Sequence, residues 1–221
     1  MQTNKKDIKE IAVIASKLLV ICAIVAALVA SVNLITKDRI NLNRKIKTAE
    51  ALTDISTSEG LIFTVDDMGN YVVSDAAGNP AGSLETADLQ LADDIDAVYI
   101  IKDASGKVLS YCVEASPMGF KNEINMIVAV NYDRTVKDVQ IISLSDTKGI
   151  GDKVKESSYL GLFKGKTMGF ASNSDGLKQN GLIIAGATRT SEPVSKAVDL
   201  ALAEVNKIID SEGGVNVEEY K

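Results

Sequence analysis

The hydrophobic and polar positions of this chain fall into three regimes. The first is a nearly unbroken apolar run, "LLVICAIVAALVASVNLI", at residues 18–35. At about 1.5 Å per residue such a run makes a helix roughly 27 Å long, close to the ~30 Å hydrocarbon core of a bilayer. Upstream, "IAVIAS" at 11–16 extends it, interrupted only by Lys17. Near the end of a span a lysine can snorkel to the headgroups at little cost. The pattern predicts one transmembrane helix over 11–35, preceded by a tail at 1–10. A cleaved signal peptide fits less well, because the run is long for an h-region and no small-x-small cleavage site precedes a polar start. Lys5, Lys6, Lys9 and Lys17 precede the helix, and Lys37, Arg39, Arg44, Lys45 and Lys47 follow it. The positive-inside rule therefore does not set its orientation.

Residues 36–60 are polar and mixed, and read as a stalk that either continues the helix or does not. From 61 the period becomes two. "LIFTV" (61–65) and "NYVVS" (70–74) predict short strands around "DDMG", and "DAAGNPAGS" (75–83) reads as a loop from its Gly, Asn and Pro. "AVYIIKDASGKVLSYCVEA" (97–115) predicts a hairpin turning at "DASG", and residues 122–145 a second one turning at "YDRT". In the latter, Ile124, Met126, Val128 and Val130 alternate with Asn125, Ile127, Ala129 and Asn131, one face strongly apolar and the other mixed. "YLGLFKGK" and "GLIIAG" are further short apolar runs. From Glu192 the period is helical: Val194, Ala197, Val198, Ala201, Val205 and Ile208 mark one face. Ser191 is the expected N-cap and Pro193 a first-turn residue. No internal repeat is visible. The expected architecture is α+β, antiparallel hairpins with packed helices over 61–221, behind a single N-terminal transmembrane helix.

Charge and composition narrow the function classes. Residues 1–50 carry nine basic and four acidic side chains, leaving 15 basic against 26 acidic in the rest of the 221 residues. So acidic a domain is a poor nucleic-acid binder, since phosphate contact needs Lys and Arg. There is no histidine. That removes the commonest general base, the commonest metal ligand and every Ser-His or Cys-His catalytic pair. Cys22 lies in the apolar run and Cys112 far from it, so neither a zinc site nor a disulfide framework is expected.

Two short stretches carry candidate chemistry. In "AGATRTSEPV" (185–194), small residues and hydroxyls precede a helix. Free N–H groups and the helix dipole there favour an anion, Arg189 adds charge, and Gly186 and Ala187 permit close approach. The same residues also suit an ordinary capped turn with hydroxyls facing solvent. In "SDTKGIGDKVKE" (145–156), Gly149 and Gly151 bracket Ile150. Such a loop can lie flat against a planar ring, or serve simply as a strand-to-helix turn.

Taken together and in this order, these stretches resemble the flavin-binding domain shared by the G subunit of the Rnf complex and the C subunit of the sodium-pumping NADH:quinone reductase. That domain follows one N-terminal membrane helix and has a Gly-aromatic pair, a loop of the form E-T-P-G-L-G-x-K, and D-x-x-S-G-A-T-x-S/T-S before a helix. The matching residues are Gly119 and Phe120, then Asp146, Thr147, Lys148, Gly149, Ile150, Gly151, Asp152 and Lys153, then Ala185, Gly186, Ala187, Thr188, Arg189, Thr190 and Ser191. The match is good over 97–210, whereas 61–96 does not align. Asp146 stands where the family has Glu, Lys148 where it has Pro, Ala185 where it has Ser, and Leu182 where it has an acid.

The resemblance implies FMN held covalently through a phosphoester to Thr188. Gly149, Ile150, Gly151 and Phe120 would lie at the ring, Lys153 and Arg189 would stabilise phosphate or reduced flavin, and Thr190 and Ser191 would cap the helix. It further implies an electron-transfer subunit, without catalytic side chains or a metal of its own. In the Rnf complex electrons run from reduced ferredoxin to NAD, coupled to sodium or proton export. The implied partners are the other membrane subunits and, during maturation, a flavin-attaching transferase. The implied location is the inner (plasma) membrane, single-pass, with 1–10 cytoplasmic and the main domain extracytoplasmic. Two other classes remain open: a stand-alone anchored flavoprotein for extracellular electron transfer, and a flavin-free surface binding module.

Overall fold

Nothing in residues 5–55 breaks a helix, since the segment holds neither Gly nor Pro, and α1 runs unbroken over Lys5–Ile55, 51 residues. The computed structural model describes residues 5–211. Residues 1–4 of the expected tail and 212–221 of the expected soluble domain lie outside the described residues. The chain divides into two units, Met1–Lys45 and Ile46–Lys221. In the first, the described apolar side chains of residues 11–40 of α1 are exposed, among them Leu18, Ile21, Leu28 and Val32. This helix is long and apolar enough to cross a membrane. Ser31 satisfies its hydroxyl within the helix, donating to the Ala27 carbonyl at 2.7 Å.

The second unit takes in the end of α1. Ala49, Leu52 and Ile55, three residues apart along one helical face, are buried there. Residues 46–55, expected as stalk, thus contribute to the core, and their mixed composition reflects a helix packed on one side only. A short 3-10 turn over Thr57–Glu59 follows, stopped by Gly60 at φ +70°.

The strands are β1 (Ile62–Val65), β2 (Tyr71–Ser74), β3 (Gly82–Thr86), β4 (Ile95–Asp103), β5 (Val108–Ala115), β6 (Asn125–Val130) and β7 (Val136–Ser143). β1 and β2 form a separate antiparallel pair, and β3 to β7 an antiparallel meander in chain order. The expected hairpins all form. β3 was not expected: an edge strand with one large apolar residue, Leu84, gives no alternating signal. Its Glu85 meets Lys102 of β4 at 2.7 Å.

The sheet differs from expectation in having both faces covered. Val113, Met126, Val128 and Val130 pack with the helices that follow in the chain. Cys112, Ile127 and Ala129 pack with Leu52, Ile55 and Phe63. The face that read as mixed is therefore a second core, closed by the end of α1 and the β1–β2 hairpin. Burial pushes the Cys112 thiol up to about 12, so it is inert packing.

Four short elements follow β7: 3-10 turns at Gly151–Lys155 and Gly161–Phe163, α2 (Ser157–Leu160) and α3 (Ser174–Gln179). The last element, α4 (Thr188–Ser211), buries Val194, Ala197, Val198, Ala201, Leu202 and Val205 against the sheet. It starts earlier than its periodicity predicts. The Ala187 carbonyl accepts the N–H groups of Thr190 (3.0 Å) and Ser191 (2.9 Å), so Thr190 and Ser191 sit in the first turn rather than capping it. Pro193 accordingly lies inside the helix. Gly186, at φ +83°, supplies the backbone reversal that admits this early start.

Candidate functional site

Three irregular segments meet at the start of α4. The first connects β5 to β6 and is tightened by Gly119 N–H to Asn122 C=O at 2.9 Å and Ile124 N–H to Pro117 C=O at 2.9 Å. That turn leaves Phe120 half exposed. The second follows β7. The Thr147 carbonyl accepts from Ile150 (3.2 Å) and Gly151 (3.0 Å), and Gly149 takes φ +79°. The third, Leu182 to Thr188, leads into α4.

The third segment is fixed from below by buried hydroxyls. Tyr159 of α2 reaches the carbonyls of Leu182 (3.0 Å) and Ser191 (3.2 Å). Ser195 donates to the Ser191 carbonyl at 3.0 Å. Ser191 accepts from the Ile184 N–H at 3.0 Å. Burial pushes the Tyr159 phenol up to about 12, so it stays a neutral hydrogen-bonding post. Sequence reasoning missed Tyr159 and Ser195. One sat in an apolar run and the other in a helical stripe, and nothing along the chain links either to the loop it supports. Ser191, expected as a cap and a ligand, is fully buried in this network.

Above it opens a cleft of about 340 Å³ lined by Phe120, Asp146, Thr147, Ile150, Gly151, Gly186, Ala187, Thr188, Arg189 and Thr190. All ten were expected at the site. Gly119 lies instead on an adjoining cleft, with Met118, Glu192 and Lys196, which shares Thr188 and Arg189. Gly149 shapes its loop without lining the cleft, and Lys153 is exposed on the 3-10 turn beyond it.

The two threonines differ. Thr188, the first residue of α4, is exposed. Thr190 is only 2% exposed and donates to Asp146 Oδ2 at 2.6 Å. Among the described residues the Thr188 hydroxyl makes no hydrogen bond, and the backbone N–H groups of Thr188 and Arg189 donate to none. The Arg189 guanidinium lies 5.8 Å from the centre of the Phe120 ring, in cation–π range. Beside the site, hydrogen bonds from Lys196 and Ser174 hold the Glu192 carboxyl below its ordinary range. Leu182, where the resembling family carries an acid, points into the core and is fully buried.

This arrangement can receive an anion at two free amides, a helix N-terminus and a guanidinium, and a flat apolar body against Phe120 and Ile150. Comparison with known proteins agrees. Residues 119–203, which hold all three segments, match the FMN-binding domain family. The chain is similar to the G subunit of the proton-translocating ferredoxin:NAD(+) oxidoreductase complex of Clostridium ljungdahlii, 33% identical over 102 residues, 45% of this chain and 55% of that one. It is also similar to the G subunit of the ion-translocating oxidoreductase complex of Methanosarcina acetivorans, 27% identical over 203 residues, 90% of this chain and 97% of that one. The match thus spans about half the length of the first relative and nearly all of the second. Among solved structures, Shewanella oneidensis NqrC is similar at 22% identity and a TM-score of 0.41, over 78% of this chain and 99% of that one. Residues 119–203 thus match the FMN-binding domain family, and the chain is similar to the G subunits of ion-translocating oxidoreductase complexes.

Proposed function

We propose, from a chain whose residues 119–203 form an FMN-binding domain, that it is an electron-transfer subunit of a membrane-bound, ion-translocating ferredoxin:NAD oxidoreductase complex of the Rnf type. Its FMN is esterified to Thr188 by a flavin-attaching transferase, and its partners are the other membrane subunits of that complex. The observation that carries the attachment is the contrast between the threonines. Thr188 offers an exposed, unengaged hydroxyl beside two free amides, whereas the Thr190 hydroxyl is buried against Asp146.

The residues present fit the group. The free N–H groups of Thr188 and Arg189, with the α4 dipole, favour a phosphate at this point by on the order of 1 kcal/mol. That is too little to retain a ligand in an open cleft, which is what a covalent tether overcomes. Phe120, Ile150 and Gly151 provide an apolar wall for the ring. The Arg189 guanidinium, close to the Phe120 ring, would balance negative charge on the phosphate or on the reduced ring. When bound, FMN exchanges one or two electrons and so links one-electron to two-electron carriers. The chain's own residues position it and shut off part of its surface from water, so no side-chain base is needed.

Expression in a host that contains the transferase tests this reading. The purified full chain should show flavin absorbance that survives denaturation and gel filtration. A colourless chain, or flavin lost on unfolding, would refute covalent attachment. In the same reading, residues from 61 onward lie outside the cytoplasm and 1–10 inside it. A cysteine introduced at Asn79 should then react with an impermeant reagent in intact cells, and labelling only after lysis would contradict the topology.

A further inference from the structure

Asp146 sits where the three segments of the cleft meet. Its Oδ1 accepts the Lys121 N–H at 3.1 Å, from 25 residues earlier in the chain, and its Oδ2 accepts the Thr190 hydroxyl at 2.6 Å, from 44 residues later. Both oxygens are engaged by protein donors. Gly151 belongs to the same contact. Its φ is not positive, so its backbone does not require glycine. A Cβ there would lie 2.6 Å from the Asp146 Cβ, 3.1 Å from Oδ2 and 3.2 Å from the Thr190 hydroxyl. Gly149 is the opposite case: φ +79°, and no atom within 4 Å of where its Cβ would be. One glycine serves a turn, the other makes room for a hydrogen bond.

We propose that Asp146 and Thr190, with Gly151 leaving room for their contact, form a staple, and that these two side chains are not flavin ligands. Asp146 and Thr190 are positioning residues that hold the Phe120 turn, the 146–151 loop and the first turn of α4 in one register, and so fix Thr188 relative to the ring wall. This rests on the proposed attachment at Thr188. A carboxylate in a cleft built for a phosphate would repel it. Here both carboxylate oxygens are taken up by protein donors, and the same two bonds tie in the neighbouring segments. The signal is absent from the sequence because Lys121, the 146–151 loop and Thr190 stand at three distant places in the chain.

Hydrogen exchange on the full chain in detergent reads the staple directly, without flavin. Thr190→Val keeps the shape of the side chain and removes the donor. Amide exchange at Lys121, in a different segment, should speed up roughly tenfold as Asp146 is released. Thr190→Ser, which keeps the hydroxyl, should restore the wild-type rate. Gly151→Ala pushes the same contact apart from the other side and should give the same signature, covering the case in which Thr190→Val folds poorly. Wild-type exchange at Lys121 in both Thr190→Val and Gly151→Ala would overturn the staple. In the presence of the transferase, flavin should attach several-fold more slowly to Thr190→Val than to the wild type, with Thr190→Ser restored. If the wild type itself takes no flavin, the proposed function fails, and the exchange rates still decide the staple.

Discussion

The irregular segments of this domain are of two kinds, and their hydrogen bonding separates them. The turns at 66–70, 75–79 and 103–107 share one construction. Asp66, Asp75 and Asp103 each accept two backbone N–H groups with one carboxylate oxygen, from Met68 and Asn70, Ala77 and Asn79, and Ser105 and Lys107. Each has a glycine in its fourth position, with φ between +81° and +85°. The turn at 131–135 repeats the backbone bonds with Arg134 at φ +68° in the glycine's place. These turns meet their own hydrogen-bonding needs. The segments at the start of α4 have similar residues, Gly, Asp and Thr, yet leave the Thr188 hydroxyl and two amides unengaged and Phe120 and Ile150 exposed. The first N–H groups of any helix lack intrahelical partners, and at α4 they share one cleft with an unengaged hydroxyl and exposed apolar side chains, a combination that suits an anionic ligand with a flat apolar body. Composition alone does not separate a closed turn from a binding loop, whereas the fate of each donor does.

The sharpest break in that comparison is Thr188→Ala. It should abolish covalent flavin while leaving the melting temperature of the apo chain within a degree or two, as for a surface substitution worth less than ~0.5 kcal/mol. A flavin band that persists, or a large loss of stability, would contradict it. Next in size is the contrast between the two loop glycines. Gly151→Val drives a branched side chain into Asp146 and Thr190 and should remove most of the flavin at unchanged circular dichroism. Gly149→Val meets open space and bears only the cost of a positive φ, roughly 1–2 kcal/mol, so it should load more fully than Gly151→Val. Equal loading of the two would show that room at Gly151 does not matter.

The smallest effect concerns the closed turns. Hydrogen bonds hold Asp66, Asp75 and Asp103 below their ordinary value of 3.8: chiefly the Asn70 backbone for Asp66, the Asn79 side chain for Asp75, and the Ser105 side chain for Asp103. A carboxylate depressed on folding contributes stability that is fully present above its unfolded value and lost as pH falls through the folded one. These turns should therefore weaken only below about pH 4. Replacing the three aspartates by alanine should flatten the stability–pH slope slightly in that acid range and leave flavin loading at neutral pH untouched. Altered loading at neutral pH would mean that the turns are not independent of the site.

Much of this was legible along the chain. Runs with period two announced β1, β2 and β4 to β7. The glycine and hydroxyl motifs, read through the family resemblance, named every residue that lines the cleft. What escaped detection depends on partners far apart in the sequence. β3 is an edge strand whose pairing, not its composition, makes it a strand. Ile127 and Ala129 read as a mixed face because their cover, Leu52 and Phe63, comes partly from a segment taken for stalk. The start of α4 was placed near Ser191 and Pro193, because a hydroxyl and a proline are local cap signals. The deciding feature was instead the Ala187 carbonyl, exposed by the turn at Gly186. The Asp146–Thr190 bond and the support from Tyr159 have no local signature at all.

The central claim is that the unengaged hydroxyl at the mouth of α4, and not the buried one two residues on, carries the flavin. Peptide mass mapping of the full chain made alongside the transferase tests it most directly. The peptide containing Thr188 and Thr190 should carry the mass of one esterified FMN, with fragment ions placing it on Thr188. The modification should remain in Thr190→Ala and vanish in Thr188→Ala. An unmodified wild-type peptide, or fragment ions that place the added mass on Thr190, would contradict the account.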